Sequence, residues 1–364
     1  MRIGLFADQL LYRLPGGIGT YLRGLLQELP RLDQVDDFVL LHHGAAGSVS
    51  IPGSRFTERR LPGRHAQSLA WHSVGRPRVE RWIGALDLLH APSLVVPPSR
   101  SPLIVTVHDL CVVKFPELFP RRWRIFHERG LKLAMRKASI ILVDSESTRA
   151  DLLDLGRYDP SRVRVVPLGV HVPQAPGVDE VAAALAKRGI GGDYVLFVGT
   201  LEPRKNLVRL IEAFEACASA QTLVLAGSAG WQHEEITAAA AAASKPVVVT
   251  GYLPQPELEC LYAGAGLFAY PSLYEGFGLP VLEAMGRGLP VLTSGISSMR
   301  EIGEDACIMI DPGDTAAIAA AMDEALSDGV LRERLIDAGR SRASEYTWSR
   351  TARETLAAYR EAVA

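Results

Sequence analysis

The chain has 364 residues, too many for one typical core, so two domains are expected. Apolar residues make up 48%, enough to fill both, and a net charge of −2 removes any global attraction to nucleic acid. Cys111, Cys217, Cys260 and Cys307 lie far apart with no C-x-x-C pair, which argues against a disulfide framework or thiolate metal site and for a reducing compartment.

The apolar run after Met1-Arg2 is far shorter than a signal core, and no segment approaches the ~18 apolar residues of a membrane span. A cytoplasmic protein is expected, soluble or peripheral at the inner face of a membrane. Strands are predicted over Ile3–Ala7, Phe38–His42, Leu86–His90, Leu103–His108, Ile140–Asp144 and Val163–Pro167. They continue over Tyr194–Gly199, Thr222–Ala226, Val247–Thr250, Leu267–Tyr270, Val291–Thr293 and Cys307–Ile310. These runs are apolar at successive residues, as in parallel strands covered on both faces. Helices are predicted over Tyr21–Leu29, Arg122–Lys137, Leu207–Ala220, Glu234–Ser244, Pro256–Ala263, Pro280–Arg287 and Thr315–Ser327. The βαβ rhythm implies two doubly wound α/β domains. Residues 1–172 form the first, the Pro- and Gly-rich 173–192 a hinge, and 193–345 the second, with ligands at the carboxyl ends of the strands in a cleft between them. A last helix spans 346–364; whether it packs back on the first domain is left open.

Candidate site residues follow in chain order. Pro15-Gly16-Gly17-Ile18-Gly19 leads into a helix and reads as a phosphate-facing turn or a plain flexible one. It is no dinucleotide fingerprint, because Leu22 stands where the last glycine belongs. His108-Asp109 ends a strand, which favours a ligand contact for His108, with Asp109 orienting it or capping the next turn. Arg55–Trp82 carries seven arginines against two glutamates. Lys114–Lys137 carries eight cations against two glutamates, with Phe115, Phe119, Trp123 and Phe126 interleaved. Each is a solvated helix face or a contact for an anionic membrane or acceptor.

Arg204-Lys205-Asn206 follows the strand that opens the second domain. A guanidinium fork beside a mobile ammonium suits a diphosphate, and Asn206 suits a helix N-cap. Gly251-Tyr252-Leu253-Pro254 is a loop able to hold a nucleobase, or an ordinary turn. The most informative stretch is Glu275-Gly276-Phe277-Gly278-Leu279-Pro280-Val281-Leu282-Glu283. Gly276 and Gly278 allow a tight path and Pro280 suits a helix start, which leaves the N–H groups of Phe277, Gly278 and Leu279 to meet an anion. Two carboxylates flanking an anion site suggest a ligand with both phosphate and hydroxyls, such as a nucleotide sugar. No cluster has metal-ligand spacing and no D-x-D is present, so Arg204 and Lys205 would neutralise the leaving diphosphate.

With these motifs in this order, the chain resembles the retaining nucleotide-sugar glycosyltransferases of GT-B architecture, glycosyltransferase family 4, over essentially its full length. The resemblance rests chiefly on Glu275–Glu283 and Arg204-Lys205-Asn206. Weaker matches are Gly16-Gly17, His108-Asp109, Val166-Pro167-Leu168-Gly169-Val170 and Tyr270-Pro271-Ser272. It implies two Rossmann-like domains facing across a cleft and transfer of a hexose to a glycan, lipid-linked or small-molecule hydroxyl, with no metal or other cofactor. Glu275 would contact the donor sugar and Glu283 the ribose. Arg204, Lys205 and the Gly16-Gly17 loop would bind the diphosphate, and His108 the sugar. The Gly-Gly-Ile-Gly-x-Tyr variant is similar to a branch rich in mannosyltransferases, which implies GDP-mannose ahead of a UDP-sugar. The competing readings are a sugar-nucleotide epimerase, a phosphorylase, and a catalytically silent nucleotide-sugar-binding protein.

Overall fold

The computed structural model describes residues 1–12, 16–32, 36–45, 49, 56–63, 70–156 and 158–364. Pro15 of the glycine-rich turn and Arg55 and Arg64 of the first basic stretch lie outside them. The chain divides into two compact units, one of Met1–Gly169 with Tyr346–Ala364, the other of Val170–Glu345.

The first unit holds a seven-stranded parallel sheet: β1 Arg2–Phe6, β2 Asp37–His42, β3 Thr57–Arg60, β4 Leu88–Ala91, β5 Leu103–Val107, β6 Ile140–Val143 and β7 Val163–Val165. Its order is β3-β2-β1-β4-β5-β6-β7, so the winding reverses between β1 and β4. The central strands are buried along their whole length, and their apolar runs are broken only by His90 and Thr106, which hydrogen-bond to each other at 2.8 Å. The edge strand β3, Thr-Glu-Arg-Arg, escapes the sequence reading because it has no apolar residue. Charged edges of this kind block pairing with other chains.

The C-terminal helix Trp348–Val363 belongs to this unit. It packs along the helix Gly16–Leu32. Trp348 lies against Gly24, where a Cβ would run into the indole ring. Thr351 donates to the Pro167 carbonyl at 2.7 Å, and Tyr359 meets His90 Nδ1 at 2.7 Å.

The second unit holds six parallel strands: β8 Tyr194–Val198, β9 Thr222–Ala226, β10 Val247–Gly251, β11 Leu267–Tyr270, β12 Val291–Ser294 and β13 Ile308–Ile310. The order is β10-β9-β8-β11-β12-β13, so the winding reverses between β8 and β11. Ligands of open parallel sheets collect at the carboxyl ends of the strands flanking such a reversal. The 173–192 segment, expected as a hinge, contains the helix Val178–Ala186, which packs on the helix Gln255–Gly264 of this unit. The helix Gly329–Ser344, which sequence reading missed, packs on the helix Leu279–Gly286.

Candidate functional site

The loops after β8 and β11 meet at the reversal of the second sheet. The first carries Glu202-Pro203-Arg204-Lys205 and the second leads from Tyr270 to Glu275. Their carboxylates and cations form one buried cluster. Glu275 Oε1 lies 2.6 Å from Lys205 Nζ and Oε2 lies 2.5 Å from Arg204 Nη1. Arg204 directs Nε and Nη2 at Glu202 Oε1, at 3.0 and 2.6 Å, and donates from Nη1 to the Tyr274 carbonyl at 2.9 Å. Lys205 Nζ also donates to Tyr270 OH at 2.5 Å, 4.8 Å from the ring centroid. An ammonium has three protons; two of those on Lys205 are thereby directed.

Burial would raise the Glu275 carboxyl, but Arg204 and Lys205 outweigh it and hold it at about 2. The group is therefore a permanent anion at neutral pH. Burial pushes Glu202 upward despite the same two cations, and desolvation beside Arg204 pushes Lys205 downward. Ser298 Oγ donates to the Glu275 carbonyl at 2.8 Å and Ser297 Oγ accepts from its N–H at 3.2 Å, which fixes the loop from the start of the helix Ser297–Gly303.

Beyond Glu275, Gly278 has φ 117° and its missing Cβ leaves room for Met299. Both facts demand glycine. The helix Leu279–Gly286 then begins with Pro280 in its first turn and carries Glu283. Gly276, Phe277, Gly278 and Leu279 are all buried. Glu283 is half-buried and is raised by burial, with Arg287 and Tyr262 opposing. So the motif's two glutamates sit in opposite electrostatic settings.

Asn206 stands at the cap position of the helix Leu207–Ala216, but its side chain does not cap it. With φ 61°, its Nδ2 donates instead to Pro271 and Pro312 carbonyls at 3.1 and 2.8 Å, which ties the Arg204-Lys205 loop to its neighbours. Leu253 is half-buried on the loop after β10, beside exposed Tyr252.

In the first unit, His108 follows β5 and is mostly buried. Its Nδ1 lies 2.6 Å from Asp144 Oδ2 and its Nε2 3.1 Å from the Pro92 carbonyl. Burial disfavours its charged form, yet Asp144 prevails and the imidazole is raised above its ordinary value. The orienting carboxylate is thus Asp144, at the end of β6; Asp109 instead accepts from Cys111 N–H at 3.0 Å and caps the following turn. Tyr21 packs edge-on against His108, with ring centroids 5.0 Å apart. Gly16 and Gly17 open the helix Gly16–Leu32 as its first two residues, both exposed.

Sequence reasoning brought out the cations and the glutamates but missed Glu202 and Asp144. Glu202 lies in the same loop as Arg204, with which it pairs, and Asp144 ends a strand whose place beside His108 depends on strand order.

Two family models match, "Glycosyltransferase Family 4" over residues 15–173 and "Glycosyl transferases group 1" over residues 186–342. A D-inositol 3-phosphate glycosyltransferase of Salinispora arenicola is 30% identical over 87% of this chain and 77% of its own. The chain belongs to glycosyltransferase family 4. An Escherichia coli O-antigen chain mannosyltransferase B is 29% identical to this family 4 glycosyltransferase over 99% of the chain and 100% of its own length. Among solved structures, Anabaena HepE in complex with UDP and glucose superposes with TM-score 0.74 at 18% identity, covering 98% of each chain. That likeness concerns the fold alone, which is GT-B.

Proposed function

We propose that this family 4 glycosyltransferase moves a hexosyl residue, mannosyl in the first instance, from a nucleoside diphosphate sugar to a hydroxyl of a glycan or lipid-linked acceptor. Transfer proceeds with retention and without a metal ion. The observation that carries the reading is the division of Glu275 between Arg204 and Lys205 at the sheet reversal. Negative charge develops on the diphosphate as the sugar leaves, and preplaced cations stabilise it. Arg204 and Lys205 are those cations, and Glu283 is the partner of the ribose hydroxyls. Gly16, Gly17 and the N–H groups of Phe277, Gly278 and Leu279 are further phosphate donors, and Leu253 lies at the nucleobase. His108, whose Nδ1 is held by Asp144 and whose Nε2–H is held by the Pro92 carbonyl, is a fixed imidazole for packing against the sugar.

Retention follows from attack on the face that the leaving group vacates. The anomeric carbon–oxygen bond to phosphate breaks, a bond to the acceptor oxygen forms, and the acceptor proton passes to the phosphate oxygen. Glu275 is a poor nucleophile for the double-displacement alternative, because both its oxygens are engaged by cations. It orients the sugar and balances charge. The mannosyl assignment is supported by the name of the Escherichia coli relative, and a nucleotide-sugar donor by the UDP and glucose bound in the Anabaena protein.

A peripheral contact with anionic membrane is supported by the helix Arg121–Lys137. It exposes Trp123 (44%) and Ile125 (38%) among its cations, and a 450 Å³ groove is lined by Val113, Pro116, Leu131, Met135 and Leu155 together with the charged Arg124, Glu128 and Lys132. Among the described residues, no helix is long and apolar enough to cross a membrane. Co-sedimentation with anionic vesicles is expected, weakening with salt; none at low salt overturns this contact.

The transfer test offers GDP-mannose and UDP-sugars with glycan acceptors in excess EDTA and reads the product's anomeric configuration by NMR. Transfer from GDP-mannose with unchanged configuration is expected. Inversion overturns retention, loss of activity with EDTA overturns metal independence, and isomerisation of donor alone favours an epimerase.

A further inference from the structure

The helix Gln255–Gly264 and the helix Leu279–Gly286 hold a second ionic cluster. Arg287, one turn after Glu283, places Nη2 2.6 Å from Glu259 Oε1 and Nε 2.7 Å from Oε2. Gln255 donates to the same carboxylate at 2.5 Å, and the guanidinium lies 4.6 Å over the Tyr262 ring. Both charged groups are nearly buried, at 8% and 10% exposure. The Arg287 fork is therefore committed. It reaches Glu283 only through that residue's backbone carbonyl, at 2.8 Å. Among the described residues, the one donor to the Glu283 carboxylate is Tyr262 OH, at 3.4 Å. An arginine four residues after a glutamate would ordinarily pair with it.

Resting on the donor-site reading above, we propose that Glu259 is a positioning residue for the nucleotide: by holding the Arg287 guanidinium it keeps that cation off Glu283 and leaves the Glu283 carboxylate open to a ribose diol. A carboxylate has about four lone-pair sites. Those of Glu283 stay available to two hydroxyls, whereas each oxygen of Glu275 already accepts from a cation, Arg204 or Lys205. The charged and titratable groups around Glu283 are Arg287 on its own helix and Glu259 and Tyr262 opposite; from the helix Gly329–Ser344, Arg340 lies at Gly288. Removing the Glu259 charge would turn Arg287 toward Glu283 and lower the Glu283 carboxyl.

The test measures, by titration calorimetry, the affinity of GDP and UDP and of their 2′,3′-dideoxy analogues. Hydrogen bonds to a charged group make the loss of both hydroxyls cost the wild type ~10-fold or more. In Glu259→Gln that ratio should collapse to ~3-fold or less as the salt bridge consumes the acceptor sites. In the double variant Glu259→Gln with Arg287→Met the ratio should recover, since no cation remains to capture Glu283. Recovery separates this role from a structural one. Should Glu259→Gln fail to fold, Glu259→Asp keeps the charge with a shorter reach and should give an intermediate ratio. Full discrimination in Glu259→Gln, or in Glu259→Asp where that replaces it, overturns the inference and leaves the donor-site reading standing. Absence of any ribose preference in the wild type overturns the donor-site reading itself.

Discussion

Replacing Glu275 with Gln removes one negative charge from a buried set of two cations and two carboxylates while keeping its shape. The wild-type carboxyl is held at about 2 against an ordinary 4.5. At ~1.4 kcal/mol per pH unit, this places ~3 kcal/mol of folding stability in the ionised group. Its folded pKa is depressed, so that stability is complete above pH 4.5 and is lost as the pH falls toward 2. Glu275→Gln should therefore lower the Tm of the second unit by ~6–12 °C at neutral pH, and the gap from wild type should narrow below pH 4.5. In the proposed donor site the sugar would also lose its anionic partner, so turnover should fall by ~10²–10³-fold. Calorimetry across pH and initial rates with the best donor read both effects. A Tm within ~1 °C of wild type with undiminished turnover would refute the cluster as described.

Lys205→Met should weaken GDP or UDP binding by ~10-fold or more while leaving the parent nucleoside unaffected, if the ammonium addresses phosphate as proposed; equal losses by calorimetry would contradict this. Gly24→Ala drives a methyl group into the Trp348 ring and should cost ~1–3 kcal/mol, read as a lower Tm of the first unit. An unchanged Tm would show that the C-terminal helix is not seated on Gly24. Burial pushes His90 down to about 3 from 6.5, so it is neutral when folded, and stability drains as pH falls from 6.5 toward 3. His90→Gln should remove this component and move the acid transition, followed by circular dichroism, to lower pH.

The strand framework was legible because parallel strands buried on both faces need continuous apolar runs, and Leu103–Val107 and Thr222–Ala226 supply them. Thr57–Arg60 was not, because an edge strand carries no such signature. The helix Val178–Ala186 was hidden by the Pro and Gly that flank it and by its shallow burial. At the site, Arg204, Lys205 and Glu275 were legible as charges on loops after strands. Their mutual pairing was not, because it depends on β8 and β11 lying side by side, a fact of strand order. The same holds for His108, whose partner Asp144 comes from the neighbouring strand. Asn206 shows the reverse error: a good cap by residue type, it serves a tertiary contact instead.

The most direct test is a crystal structure of this chain with GDP or UDP bound. The diphosphate should lie within ~3 Å of Lys205 Nζ and the Arg204 guanidinium, with the ribose hydroxyls on Glu283. A nucleotide bound away from residues 204, 205 and 275–283 would contradict the account.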